Sequence, residues 1–298
     1  MGFWTRYLRA AELGEALEAL RQSPGPARLV AGGTDLLLDL QQGRQSPVHT
    51  LVDISGIPEL RAIRLEPDAI LVGAAAPLRD IVEHPVLAME APALVEACLL
   101  IGGPQVRNVA TLGGNVAHAL PAGDGTIALL ALDAQAELAS AEGRRWAPLP
   151  ELFSGPGRPA FDLSREILVT FRLPRLQPGE TSAFLRTMRP QGVAIAILNL
   201  ALWLRLAPDH VVEDVRLAVG PAGPRPFRAR KTEDVLRGHR LDDARLQAAG
   251  ESLTAEATFR SSPHRATAEY RHMLAGVLLR RTVRQALARL GAPELVGA

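Results

Sequence analysis

Apolar residues recur with a spacing near 3.6 over residues 10–20, the mark of a helix with one buried face. The stretch MGFWTRYLRAAELGEALEALRQ therefore reads as an amphipathic helix, broken at Pro24-Gly25-Pro26. The period then shortens. Residues 29–31 form a brief apolar run, a strand, that meets Gly32-Gly33. Residues 35–42 read as a short helix with Thr34 as N-cap and Gly43 after its end. HTLVDIS is a second strand, so the first 60 residues predict a βαβ-like unit. Residues 61–73 predict a hairpin turning at Glu66-Pro67-Asp68. Helices follow at 78–83 and 86–100, the second ending at Gly102-Gly103-Pro104. GTIALLALDA predicts a buried helix, AQAELASAEGRRWAPL a hairpin turning at Glu142-Gly143, and REILVTFRLP a strand closing at Pro174.

Beyond a linker at 174–180 the pattern changes. TSAFLRTM, AIAILNLALWLRL and HVVEDVRLAVG predict three strands of an antiparallel sheet. Helices are expected at 232–237, 242–256 and 264–290. The order predicts an α+β chain in two parts, which 298 residues accommodate.

Composition trims the possible functions. Hydrophobic residues make up 47%, enough for sizeable cores, and no apolar run reaches bilayer length. The acidic, interrupted N-terminus does not read as a signal peptide, so a cytoplasmic location is expected. The net charge of +1 argues against a general nucleic-acid binder. The balance is uneven: residues 221–298 hold 14 Lys and Arg against 8 Asp and Glu, a net +6, leaving −5 on the first 220. Such a surface is either a set of solvated helix faces or a docking face. The single cysteine, Cys98, sits in an apolar helical run that points to packing. One thiol cannot hold an iron–sulfur cluster, and no metal site is expected.

The candidate chemistry lies in the two glycine pairs. A strand that runs into Gly-Gly and then a helix aims backbone amides at one spot, which suits phosphate. There is no GxGxxG at either pair and no Walker A sequence, so the Rossmann and P-loop sites are excluded. The second pair lies in QVRNVATLGGNVAHALPAGD, with Thr111, Gly113, Gly114 and Asn115 together and Asp124 nine residues on. A carboxylate repels bare phosphate but accepts hydrogen bonds from sugar-like hydroxyls. The combination suits a dinucleotide such as FAD. The competing reading is that Asp124 only caps the helix that follows.

AGGTDLL, IPEL, GPQVRNVATLGGNVAHALPAGD and LLALDA, continued by REILVTFRLP and AVGPAGPRPFRARKTEDVLRG, resemble the FAD-binding medium subunit of the molybdenum hydroxylases, the family of carbon monoxide and xanthine dehydrogenases. The resemblance implies a PCMH-type (vanillyl-alcohol-oxidase-like) FAD-binding domain over residues 1–176, itself in parts of about 1–60 and 61–176. It implies a CO-dehydrogenase-flavoprotein-like C-terminal domain over 180–290. It implies that Val30, Ala31, Gly32, Gly33, Thr34, Asp35 and Leu36 wrap the FAD pyrophosphate, that Thr111, Gly113, Gly114 and Asn115 form a second clamp, and that Asp124 binds a hydroxyl of FAD. Leu168 and Ile101 would contact its ring systems; His118 reads as a loop residue packing near the cofactor, the alternative being a proton-transfer role. Catalytic residues on this chain are not expected. The implied partners are an iron–sulfur small subunit and a molybdopterin large subunit, in a heterotrimer or its doubled heterohexamer, with an external electron acceptor. Where some relatives follow SAF with lysine, this chain has Leu185 and then Arg186, so either Arg186 or Arg189 supplies the cation from a different angle or nothing does. A stand-alone flavin oxidoreductase and a scaffold without FAD are the rival readings.

Overall fold

The computed structural model describes residues 2–190 and 194–292. The chain opens on a strand, β1 (Trp4–Arg9), before the helix α1 (Leu13–Arg21) begins. The expected single N-terminal helix is thus wrong in its first half. WTRYLR is rich in aromatic and β-branched side chains, and it pairs parallel with a strand more than forty residues away. Helix α1 buries Leu13, Ala16 and Leu20, one face at helical spacing.

β2 (Ala27–Val30), α2 (Leu36–Gln41) and β3 (Val48–Asp53) make the expected βαβ unit, with sheet order β1-β3-β2, all parallel. Thr34 is not the cap of α2. The N-cap is Asp35, in an αR conformation and with no side-chain cap bond. The Leu37 amide reaches back to the Gly33 carbonyl at 3.0 Å, so the first turn winds from the glycine and leaves Thr34 within it.

After α3 (Pro58–Arg61) come β4 (Ile63–Leu65) and β5 (Ala69–Gly73), the predicted hairpin. The helices that follow are α4 (Leu78–Val82), α5 (Pro85–Glu90), α6 (Pro92–Leu100), α7 (Pro104–Arg107), α8 (Leu112–Ala117) and α9 (Asp124–Ala131). The single helix expected over 86–100 is split. Pro92 has no N–H to donate, and the residue before it is pushed out of the helical region, with Ala91 at φ −142°. Strands β6 (Gln135–Ser140) and β7 (Gly143–Pro148), the small hairpin of β8 (Phe153–Gly155) and β9 (Arg158–Pro159), and β10 (Ile167–Pro174) complete this stretch. The five-stranded antiparallel sheet has the order β4-β5-β10-β6-β7.

β11 (Glu180–Thr187), β12 (Leu198–Leu206), β13 (Val212–Gly220) and β14 (Phe227–Arg228) form a second antiparallel sheet in sequence order. Helices α10 (Arg230–Leu236), α11 (Asp243–Glu256) and α12 (Ala268–Arg289) end the chain. Along β12 the side chains alternate between faces. Leu200, Leu202 and Leu204 join Leu278, Leu279 and Val283 of α12 in one core. The intervening positions, Asn199 among them, face the other way, where the Asn199 amide meets α9. Helix α9 is buried along all eight residues, and after Asp124 and Thr126 its residues 127–131 are apolar on every side.

Packing divides the chain into two compact units that are not contiguous in sequence. One comprises residues 1–81, 102–119 and 134–174; the other comprises 82–101, 120–133 and 175–298. Among the described residues no helix is long and apolar enough to cross a membrane.

Candidate functional site

The first glycine pair leaves backbone donors unused. β2 ends at Val30, and the chain turns through Ala31, Gly32 and Gly33 before α2. Gly33 has φ +68°, a conformation that a side chain disfavours. Among the described residues the amides of Gly32, Gly33, Thr34 and Asp35 donate to no protein acceptor. Four consecutive N–H groups left free on a half-buried turn are the kind of donor set that an anion takes. Gly32 is glycine for a second reason. A Cβ there would overlap the Val109 carbonyl oxygen and lie 2.7 Å from the Ala110 Cα.

The second pair is built differently. The Gly113 amide donates to the Ala74 carbonyl at 2.7 Å, and the Leu112 amide to the Ala76 carbonyl at 3.3 Å. The Gly114 amide donates to the Oγ1 of Thr111, the N-cap of α8, at 3.1 Å. A Cβ on Gly113 would sit 2.6 Å from the Ala74 oxygen. These glycines let α8 close onto the segment after β5; their amides are spent inside the protein. Because Gly32 abuts Val109 and Ala110, immediately before Thr111, the structure does bring the two motifs together. His118 is the half-buried C-cap of α8, and Leu168 is buried in β10 opposite Leu138.

Ile101 and Asp124 belong to the other compact unit. Ile101 is the C-cap of α6. Asp124 is the first residue of α9, but its side chain makes no cap bond; the N-cap position is Gly123. Its carboxylate instead accepts from Arg186 Nη1 and, at 2.6 Å, from Asn199 Nδ2. Arg186 and Asn199 stand directly opposite each other on β11 and β12, so one cross-strand pair grips the acid. The side chains of Arg186 and Asp124 are 5% and 6% exposed. Burial pushes the Asp124 carboxyl above its ordinary pKa, while the Arg186 guanidinium and the Asn199 amide pull the other way. Arg186 Nε and Asn199 Oδ1 remain buried without a partner. Arg189 is exposed. Arg186 was anticipated as a cation and not as the partner of Asp124. Asn199 went unnoticed, although one amide in the apolar run AIAILNLALW is a visible anomaly.

Burial, with the Asp124 charge as a lesser cause, raises the Cys98 thiol well above its ordinary pKa. Native protein at neutral pH is therefore expected to resist iodoacetamide and to react once unfolded. Prompt alkylation of the folded chain, read by mass spectrometry, would contradict the packing role. Among the described residues no group of three or more His, Cys, Asp or Glu is placed to hold a metal.

The chain is similar to known proteins along nearly its whole length. Residues 3–176 match the family described as the FAD binding domain in molybdopterin dehydrogenase, and residues 183–286 match the CO dehydrogenase flavoprotein C-terminal domain. The xanthine dehydrogenase FAD-binding subunit of Escherichia coli O157:H7 is 35% identical over 96% of this chain and 97% of that protein. The nicotine 6-hydroxylase medium subunit of Paenarthrobacter nicotinovorans is 33% identical over 95% and 98%. A solved carbon monoxide dehydrogenase from Hydrogenophaga pseudoflava, lacking the Mo-pyranopterin moiety of its cofactor, superposes with a TM-score of 0.89 at 31% identity, covering 95% of this chain and 97% of that one. Two family models in tandem, and relatives matched nearly end to end, leave one assignment: the chain belongs to the FAD-binding subunits of the molybdenum hydroxylases, the flavoprotein component of a multi-subunit oxidoreductase.

Proposed function

We propose that the free amides of Gly32, Gly33, Thr34 and Asp35 hold the FAD pyrophosphate, flanked by Val30, Ala31 and Leu36. The observation that carries this reading is the set of four unspent donors at the Gly33 turn. They are neutral and lie on a turn that is only partly buried, which fits a pyrophosphate. Thr111, Gly113, Gly114 and Asn115 shape the adjoining wall, with His118 beside them. Asp124 accepts from a hydroxyl of the cofactor; a carboxylate has capacity beyond two bonds. Ile101 and Leu168 offer apolar contacts to its rings. In this reading residues 1–176 are the FAD-binding part and 180–290 the C-terminal domain.

When bound, FAD supplies the redox chemistry, and the chain supplies binding and orientation. The subunit stands between the iron–sulfur clusters of a small partner subunit and an external electron acceptor. Substrate is oxidised on a molybdopterin large subunit, within a heterotrimer or its doubled form. The test is to purify the chain alone, add FAD, remove the excess and record the visible spectrum. Retained oxidised-flavin absorption, released as free FAD on denaturation and with no turnover of carbon monoxide or xanthine, is expected. Flavin that stays covalently attached, or substrate turnover by the lone chain, would point to a self-sufficient oxidoreductase. No flavin, alone or with the partner subunits present, would point to a scaffold.

A further inference from the structure

Helices α11 and α12 border an open groove of about 590 Å³ for which the flavin site has no use. Its floor includes Leu246, and its wall carries Met273 and Val277, 67% and 51% exposed. With Tyr270, also exposed, these side chains follow i, i+3 and i+7 on α12, so they form one apolar stripe turned to solvent. Toward the end of α12 the stripe runs into Arg280, Arg281 and Arg284. Asp243 pairs with Arg280. Among the described residues Arg281 and Arg284, both exposed, have no carboxylate partner.

Two helix-interior glycines line the same groove, Gly250 and Gly276. Glycine weakens a helix relative to alanine. The fold does not demand either one. A Cβ on Gly276 would meet nothing within 4 Å, and one on Gly250 would make only an ordinary 3.5 Å contact. Gly250 faces the Gly276 backbone where the two helices meet, and at Gly276 no side chain fills the space of the groove.

We propose that this groove docks a partner subunit of the complex, through an acidic amphipathic helix whose apolar face covers Met273 and Val277 and whose carboxylates meet Arg281 and Arg284. The proposal rests on the reading that the chain works within a multi-subunit assembly. Charge selects this occupant over a second copy of the chain: two such faces would bring together four guanidiniums that have no carboxylate partner among the described residues, against one groove carboxylate, Glu251, on each.

The test compares binding of the FAD-loaded chain to its remaining subunits, by sedimentation or interferometry, for wild type, Gly276→Gln and the double variant Arg281→Glu/Arg284→Glu. Gly276→Gln projects into the groove and should leave melting temperature and flavin content at least at wild-type levels. It is expected to weaken association about tenfold or more. The double variant is expected to weaken it comparably and to flatten its dependence on salt. If wild type binds and both variants bind equally well, the groove is not the docking site. If the variants instead dissolve a homodimer of the isolated chain, the occupant is a second copy and the proposal fails. If wild type binds none of those subunits, the multi-subunit reading fails and takes this proposal with it.

Discussion

Gly32→Val should yield a chain that no longer retains FAD. The valine Cβ would overlap the Val109 carbonyl and crowd the Ala110 Cα, and both are backbone that cannot swing aside. The turn must shift, and the four amides shift with it. A hydrogen bond to a charged group is worth about 1.5–3 kcal/mol, so losing two donors to the pyrophosphate removes about 3 kcal/mol or more. That corresponds to a factor of ~100 or more in Kd. Overpacking should also lower stability by about 1–3 kcal/mol. Flavin absorbance after desalting, and the rise in melting temperature on adding FAD, give separate readouts. Wild type should show both, since a ligand that binds only the folded state stabilises it by mass action. Gly14→Ala, at an exposed helical position where a Cβ meets nothing within 4 Å, should behave as wild type. Gly113→Val should differ from Gly32→Val: its amide is already bonded to Ala74, so it damages the fold before the donor set. A Gly32→Val protein with full flavin would refute the assignment of the pyrophosphate to this turn.

The second large effect is expected at Arg186. Arg186→Met leaves the Asp124 carboxylate buried with only the Asn199 amide on it. Removing one member of a buried pair typically destabilises by about 3–5 kcal/mol, because the remaining charge is stranded. The sign with pH follows. Loss of the guanidinium removes an influence that lowers the Asp124 pKa, so the folded-state pKa rises further. A raised carboxyl pKa favours folding below the unfolded value, and that advantage is lost as pH rises through the folded one. The deficit of Arg186→Met against wild type should therefore be largest at neutral pH and shrink in acid. Asp124→Asn/Arg186→Met, which strands no charge, should recover most of the stability. Urea denaturation at two pH values measures all of this. A single variant as stable as wild type at neutral pH would mean that the pair is not holding the fold.

What could be read from the sequence was mostly local. The glycine pairs announced the turns, Glu66-Pro67-Asp68 and Glu142-Gly143 announced the hairpins, and the apolar run of α9 announced a helix buried on every side. What could not be read was mostly long-range. β1 is a strand because β3 lies alongside it, and nothing within WTRYLR reveals β3. The split at Pro92 was readable too: a local rule, proline's missing N–H, overrides a continuous apolar pattern. The resemblance joins the two motifs in one expected site, but which glycine has unspent amides and which merely lets backbones touch is visible only in the hydrogen bonds. Asp124 illustrates the limit: its partners lie 62 and 75 residues away.

The interleaving of the compact units also bears on how the chain is made. Helix α9 is complete at Ala131, yet the strand carrying Asn199, which its Asp124 needs, ends only at Leu206. During synthesis a largely apolar helix therefore emerges well before the sheet that covers it. At about 5–20 residues per second this interval lasts on the order of several seconds. Cutting the chain near residue 177 would make that gap permanent, leaving α6 and α9 on one fragment and their sheet on the other. The nascent subunit thus passes through an interval in which the apolar face of α9 has no sheet to cover it.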